Sequence, residues 1–435
     1  MSSYVHYEPN AEQKALLDRV LWKVMPLVIA LMAIGTIDRS NIGFAKLTMV
    51  SDLGMSEAVF ALGASLFYLG YIVFEIPSAL GAHKFGARIW FARIMLTWGA
   101  ATVALAFTSS TAMFYLFRFL LGAAEAGLYP GLLFYVTLWF PKSYHAKAMG
   151  LLTIGSALGN GLGALISGPL LDLNGFMGVA GWQWIFIVTG LMPILGVGVV
   201  VMTMSDTVEK ARFLTNEEKA ELSALIGPRR ETRHHSFMDI LKAIATPRVL
   251  GHGLTYTTLL TALYGVIYWA PSVVRTFGVT GTQNGLLVTL PWAIDIVLLL
   301  LIPPLLRNRP AVLKAFIALT LVGSIAFAAA VFIDQSIFRY AMLLVGIPCI
   351  SIGLALYWTF PARLLTGAQA AAALAAISTF GNTGGLAGQN LMPALAKVGG
   401  DASAALLVPC VCLGLLCFGA LVLLIRSRED GRPAA

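Results

Sequence analysis

Apolar runs recur along the whole chain, and short polar segments separate most of them. A helix needs about 20 residues to cross the hydrocarbon core of a bilayer, and the runs are about that long or longer. The pattern therefore predicts an all-α membrane protein with twelve transmembrane helices. The predicted spans are 24–44, 56–81, 89–108, 111–137, 147–170, 181–204, 249–275, 281–305, 311–333, 337–361, 366–396 and 402–425.

One hydrophilic stretch, residues 205–246, divides the spans into two sets of six. This layout is typical of two pseudo-symmetric helix bundles with a central site. Within the stretch, Thr215 has the character of an N-cap and predicts a short helix. The predicted domains are an N-terminal six-helix bundle (1–204), a cytoplasmic linker (205–246) and a C-terminal six-helix bundle (247–435).

Composition supports a membrane protein. Of the 435 residues, 58% are hydrophobic and 11% are charged, whereas a soluble domain carries about 25% charged residues. The net charge of +8 would suit a nucleic-acid partner in a soluble protein. Here the basic residues lie in loops between apolar runs, so a positive-inside bias explains them better. The cysteines lie in apolar runs without metal-type spacing, and no metal site is predicted.

Loop charges predict the orientation. Alternate loops carry basic residues, whereas the third-to-fourth and fifth-to-sixth connections have no Lys or Arg. Both termini and the linker are therefore predicted to be cytoplasmic. The basic loop and terminal residues are His83, Lys84, Arg88, Lys142, Lys147, Arg307, Arg309, Arg426 and Arg428.

Ionisable residues inside the predicted spans are candidates for chemistry. Each such residue costs roughly 2.5–3.5 kcal/mol on insertion scales, so each needs a reason. The candidates are Asp38, Arg39, Glu75, Arg118, Glu125 and Asp295.

Arg118 and Glu125 are seven residues apart and so share one helix face, and Tyr129 follows on nearly the same stripe. An arginine beside a cavity can hold a carboxylate through two hydrogen bonds. A buried glutamic acid can take up and release a proton. A substrate anion that occupies the arginine would free the glutamate to accept a proton, which is a physical route to coupling.

The alternative is that these charges are fixed ion pairs between helices. Asp38 could pair with Arg39 and Arg118 with Glu125, or the two spans could pair crosswise. Glu75 is interpreted as structural, because it lies near the cytoplasmic end of its helix, close to Arg88 and Arg93. For Asp295 both interpretations stay open.

Aromatic and amide side chains offer a lining for a central cavity. Many residues of this kind pack between helices or lie at the membrane interface. Asn382 is the strongest candidate, since it lies in a glycine-rich helix. The other candidates are Tyr68, Tyr71, Tyr264 and Trp358.

Several motifs resemble the major facilitator superfamily and, within it, the anion:cation symporter family of organic-anion permeases. The stretch Arg118–Gly131 is the most specific, and the resemblance covers nearly the whole chain. The other stretches are Asp38–Ala45, Gly70–Ser78, Lys84–Arg88, Gly181–Trp184, Leu365–Gly367 and Gly381–Gly385. The sequence departs from the family's usual pattern at His83, in the loop 305–310, at Gln389 and at Asp295.

Such a resemblance implies carriage of carboxylates such as sugar acids, tartrate, phthalate or hydroxyphenylacetate, typically with protons. It assigns anion binding to Arg39 and Arg118, and proton coupling to Asp38 and Glu125. It places Tyr71 and Asn382 in the cavity lining. The cytoplasmic gating motif that it implies comprises Lys84, Gly86 and Arg88.

The sequence thus predicts a proton-coupled symporter that imports a small organic carboxylate across a bacterial inner membrane by alternating access. Protons are its expected coupling ion, with no cofactor and no nucleic-acid partner, and a monomer is expected to function. An exporter or exchanger on the same fold is the alternative. A membrane enzyme is disfavoured by the lack of a nucleophile–base pair or metal-ligand cluster. A transporter-like sensor would need an added signalling domain.

Overall fold

The computed structural model describes residues 10–227, 246–306, 308–361 and 370–429. Arg307 and the motif Leu365–Gly367 lie outside these residues, as do the side chains of His83, Arg426 and Arg428. The described part is helical and contains no β-strand. Ten of its helical segments are long and apolar enough to cross a membrane.

Fourteen α-helices follow one another in the described residues. Helices α4 and α5 together make one crossing, and α8 is a short polar helix, so the helices make twelve crossings. The helices are α1 Ala11–Asp52, α2 Glu57–Phe85, α3 Ala87–Leu105, α4 Thr111–Glu125, α5 Leu128–Trp139, α6 Lys142–Asp172, α7 Gly181–Thr203, α8 Asn216–Ile226, α9 Pro247–Arg275, α10 Gly281–Leu305, α11 Arg309–Phe332, α12 Ser336–Tyr357, α13 Ala370–Gly399 and α14 Leu407–Glu429.

The first helix is longer than its apolar run predicts. Helix α1 begins at Ala11 rather than at residue 24, after a capping box between Asn10 and Gln13. Its first turns bury Leu17, Val20 and other apolar side chains, because this segment packs on the protein rather than lying free in water. The added turns precede the predicted span, whose start at residue 24 stays a prediction.

The fourth crossing is broken, whereas the sequence predicts one helix over 111–137. Ala126 and Gly127 leave the helical conformation, and Gly127 has a φ of 88°. A side chain at Gly127 would collide with Ser78 of α2, so the break lets α2 approach closely. Tyr129 consequently does not continue the Arg118–Glu125 helix face, and that prediction is wrong.

The described part of the predicted linker is docked on the N-terminal half. Phe213 stacks on Trp139 with ring centroids 5.8 Å apart, and Tyr135 Oη donates to the Ser205 carbonyl over 2.8 Å. Helix α8 starts after Thr215, whose side chain accepts from the Glu218 amide, so the predicted helix is confirmed. The domain limits at 204 and 246 stay predictions.

Three helix pairs join the N-terminal half (α1–α7) to the C-terminal half (α9–α14): α1 with α9, α6 with α10, and α2 with α13. We call these contacts the seams. At the α2–α13 seam, Gly385 faces the ring of Tyr68 so closely that a side chain there would clash. The seams bring the predicted cavity residues of both halves together.

Candidate substrate and coupling site

A buried ion pair forms the centre of the site. Arg39 Nε of α1 donates to Glu125 Oε1 at the end of α4, with a distance of 2.7 Å. Glu125 is fully buried, and its second oxygen, Oε2, has no hydrogen-bond partner among the described residues. Of the pairings left open by the sequence, the structure contains the crosswise one.

Aromatic side chains surround the Arg39 guanidinium. It lies over the ring of Tyr71, 4.8 Å from the centroid, and 5.6 Å from that of Phe67. Across the α1–α9 seam, Arg39 Nη1 donates to Tyr264 Oη over 3.3 Å. Tyr264 in turn lies against Tyr68, with centroids 5.0 Å apart. Three of the predicted cavity tyrosines therefore meet at Arg39, and these contacts stabilise the cation in a low-dielectric setting.

Arg118 is buried near the Arg39–Glu125 pair, and two of its donor nitrogens are unpaired among the described residues. Its Nη2 donates to the Ala64 carbonyl over 2.8 Å, and its guanidinium lies 5.1 Å from the centroid of Phe67. Its Nε and Nη1 have no partner within the described chain. The structure shows no ion pair between Arg118 and Glu125, although both lie on the same helix face. Arg118 can therefore still bind an anion.

The side chain of Asp38 points in a different direction from that of its neighbour Arg39. Asp38 Oδ1 accepts from Thr102 of α3 over 2.8 Å and from Asn41 over 3.2 Å. Asn41 also reaches Thr189 of α7. The carboxylate thus faces the interior of the N-terminal half, and no Asp38–Arg39 pair forms. Sequence reasoning missed Thr102 and Asn41, although Asn41 lies one turn after Asp38.

Glu75 reaches the C-terminal half. Thr379 Oγ1 of α13 donates to Glu75 Oε2 over 3.2 Å, and Asn382 lies one turn further along α13. The interpretation that Glu75 belongs with Arg88 and Arg93 is wrong, because its side chain points into the α2–α13 seam. Asn382 is buried there, which places this predicted cavity residue beside the seam.

Trp358 lies apart from the ion pair. Its ring packs on Tyr256 with centroids 4.9 Å apart, and Tyr256 lies two helical turns before Tyr264 on α9. Tyr256 thus stands between Trp358 and the site centre. A role for Trp358 in binding stays a prediction.

The predicted gating residues lie at the α2–α3 turn. Gly86 has a φ of 85°, and the Arg88 amide donates to Asp206 Oδ1 over 2.9 Å. Lys84 is exposed. Asp206, after α7, therefore binds the start of α3, and sequence reasoning missed it, because its position next to α7 was the only signal. The gating role itself stays a prediction.

Lys46 is a buried cation that sequence reasoning missed. Its Nζ lies 3.0 Å from Glu57 Oε2, 3.1 Å from Ser272 Oγ and 3.2 Å from the centroid of Trp269. Ser272 and Trp269 belong to α9, so Lys46 crosses the α1–α9 seam. It is seven residues after Arg39, and this spacing on one helix face could have revealed it.

Comparison with known proteins identifies the family of this chain. The sequence profile of the Major Facilitator Superfamily matches residues 27–389. The chain belongs to this superfamily. The resemblance to its organic-anion transporters, stated from the motifs above, is confirmed.

Relatives of this superfamily match almost end to end. The chain is 34% identical over 428 residues to the "Putative tartrate transporter" of Agrobacterium vitis, covering 97% of this chain and 93% of the relative. It is 36% identical over 381 residues to the "Quinolone resistance transporter" of Acinetobacter baumannii, covering 86% and 87%. The fold also resembles the crystal structure of a D-xylose-proton symporter, with a TM-score of 0.68, 13% identity, and coverage of 92% and 97%.

As a member of the Major Facilitator Superfamily, the chain is a multi-pass membrane transporter of small molecules and not an enzyme. Arg39, Lys46 and Glu75 lie where the two halves of such a transporter meet.

Proposed function

We propose that the chain is a proton-coupled symporter that imports a small organic carboxylate across the bacterial inner membrane. Both termini are cytoplasmic in this proposal, protons are the coupling ion, and the monomer functions. The observation that carries the proposal is the ion pair of Arg39 with Glu125 beside Arg118, which keeps two donor nitrogens without partners.

Anion binding starts at Arg118 in this mechanism. A substrate carboxylate accepts hydrogen bonds from Nε and Nη1, the donors that no described residue uses. Charge-assisted hydrogen bonds of this kind are roughly twice as strong as neutral ones. The aromatic rings of Phe67, Tyr71 and Tyr264 supply apolar walls, which favour an aromatic or mixed-character acid over a polyhydroxylated one.

Proton coupling follows from competition for Arg39. When the substrate carboxylate also takes hydrogen bonds from Arg39, Glu125 loses its cation. A buried carboxylate without a cation is disfavoured, so Glu125 accepts a proton. Anion and proton then cross together as the halves rock, and Asp38 is the second predicted proton-coupling residue of this half. Release of the anion to the cytoplasm restores the Arg39–Glu125 pair and expels the proton.

An exporter or exchanger is the second candidate. It is favoured by the similarity to a protein named as a quinolone resistance transporter, which is 36% identical to this chain. The same site chemistry works in either direction, because the gradients of substrate and proton set the direction of net flux.

The test is uptake of radiolabelled carboxylates, beginning with tartrate, into proteoliposomes with and without an inward proton gradient. We expect gradient-driven accumulation by the parent. Arg118→Ala should lower binding by about 2–5 kcal/mol, which is roughly 30-fold or more. Glu125→Gln should exchange substrate without accumulating it. Arg275→Ala, which removes an exposed arginine, is the matched control and should behave as the parent.

Two results would overturn parts of the proposal. Full accumulation by both Arg118→Ala and Glu125→Gln would make these residues structural. Outward transport driven by the proton gradient, with no accumulation of any carboxylate tested, would favour the exporter.

A further inference from the structure

Asp295 is a buried acid that the mechanism above does not use. It lies in α10 with an exposed fraction of 0%. Neither of its carboxylate oxygens has a hydrogen-bond partner among the described residues. Ser351 and Cys349 of α12 lie beside it. A buried titratable group without a partner calls for an explanation.

The other buried acids of the membrane helices differ from Asp295 in this respect. Glu125 holds Arg39, Asp38 accepts from Thr102 and Asn41, and Glu75 accepts from Thr379. An isolated ionised carboxylate in an apolar interior is strongly disfavoured, and the neutral acid is the form that such a place tolerates.

Among the described residues, no charged group pairs with Asp295 from the helices that pack against α10. The titratable group on α12 beside it is the Cys349 thiol. Towards α6 and α9, the neighbouring stretch of α10 meets Asn160, Ala164 and Val266, which are uncharged. In the described structure, Asp295 is therefore a lone acid in an uncharged environment.

A small cavity lies at the α6–α10 seam, on the face of α10 that also carries Asp295. Val288, Trp292 and Asp295 follow at intervals of four and three residues and so lie along one face of α10. Val288 and Trp292 line a cavity of about 10 Å³ between the two halves, which Ser40 and Asn160 complete from the other side. This is about the space of one water molecule. Movement of α10 against α6 would admit water to this face.

We propose that Asp295 is a second proton-binding site of the C-terminal half, used in the same transport cycle as Glu125. Its carboxylate takes a proton from hydronium on the side where the seam is wet, which forms one O–H bond and leaves water. It returns the proton to water after the halves have moved. This inference rests on the proposed function for its place in the cycle, but the proton site itself does not.

The first test needs no substrate. Infrared spectra of the full chain in liposomes are compared for the parent, Asp295→Asn and Asp295→Glu at neutral and alkaline pH. We expect a carboxylic-acid carbonyl band in the parent that Asp295→Asn lacks and Asp295→Glu retains. Identical carboxylic-acid bands in the parent and Asp295→Asn would overturn the proposal. If Asp295→Asn does not fold, Asp295→Ser serves as the same comparison.

The second test measures protons per substrate, with a pH electrode and radiolabelled tartrate or whichever carboxylate the parent accumulates. Asp295→Asn should carry one proton fewer and lose about tenfold in accumulation for each pH unit of gradient, with exchange retained. Ser351→Ala, which keeps the acid, should retain the parent ratio. An unchanged ratio in Asp295→Asn would overturn the proposal. A parent that accumulates no carboxylate would instead refute the proposed function, and the infrared result would still decide the proton site.

Discussion

The two halves of the transporter share an architecture but divide the chemistry unequally. The described N-terminal half buries Asp38, Lys46, Glu75, Arg118 and Glu125, and the partly buried Arg39 pairs with Glu125. The described helices of the C-terminal half bury Asp295, and Arg339 near the start of α12. What the C-terminal half offers to these charged groups is neutral: Tyr264, Ser272 and Thr379.

This difference suits a transporter whose two halves must separate. Arg39–Glu125 and Lys46–Glu57 each lie within the N-terminal half, and no ion pair between described residues joins one half to the other. The charged groups Arg39, Lys46 and Glu75 meet neutral side chains of the other half at the seams. Breaking a buried ion pair by removing one partner costs about 3–5 kcal/mol, whereas a hydrogen bond to a charged group contributes about 1.5–3 kcal/mol. The halves can therefore part without breaking an ion pair.

The largest expected effect, and so the strongest test of this difference between the halves, is at Arg39. We expect Arg39→Ala to destabilise the protein by about 3–5 kcal/mol, because it leaves Glu125 buried without its cation. Tyr264→Phe removes the partner across the seam and should have an effect below about 3 kcal/mol. Thermal and denaturant unfolding in detergent micelles measures both. The double variant Arg39→Ala/Glu125→Gln should recover much of the loss. Equal destabilisation by Tyr264→Phe and Arg39→Ala would contradict the division between ion pairs and seams.

Lys46 tests the α1–α9 seam. Lys46→Met removes its contacts with Ser272 and Trp269, and a desolvated cation–π contact alone contributes about 2 kcal/mol. We expect amide hydrogen exchange in the last turns of α9 to become roughly tenfold faster or more. Ser272→Ala, which keeps the cation, should change exchange less. Unchanged exchange in Lys46→Met would show that Lys46 does not hold this seam.

A smaller effect is expected at the α6–α10 seam. Asp172 at the end of α6 accepts hydrogen bonds from the Gly281 and Thr282 amides and from Thr282 Oγ1, at 2.7–2.8 Å. This carboxylate caps α10 from the other half. Asp172→Asn should weaken the start of α10 by about 1 kcal/mol, seen as faster exchange there. Thr282→Val, which keeps both amides, is the milder control. Slower exchange in Asp172→Asn would show that the cap does not stabilise this end.

The smallest effect on the free energy of unfolding is expected at Asp295. If Asp295 is neutral, Asp295→Asn replaces one neutral group by another of similar shape, and the free energy of unfolding should change by no more than about 1 kcal/mol. Unfolding in micelles under the conditions used for Arg39→Ala gives the direct contrast. A loss of unfolding free energy as large as that of Arg39→Ala would mean that Asp295 holds a charged partner. The C-terminal half would then contain a buried ion pair, as the N-terminal half does.

The sequence allowed much of the fold to be predicted, because hydrophobic length depends on the bilayer and not on the partner helices. The C-terminal span predicted at 281–305 coincides with α10. The misses occur where packing overrides the pattern. Helix α1 extends past its apolar run, and the fourth crossing is broken at Gly127, where Ser78 of α2 comes close.

The sequence by itself determined most of the residues that carry charge inside the membrane, since an Asp, Glu, Lys or Arg in an apolar run is conspicuous. Lys46, just beyond the predicted end of the first span, is the exception. Only the tertiary structure decided their partners. Asp38 and Arg39 are adjacent, but successive helix residues point about 100° apart, so they face different helices. Arg118 and Glu125 share a face, yet Glu125 pairs with Arg39. Pairing depends on how neighbouring helices are rotated and how closely they approach, and that information is spread over the whole chain.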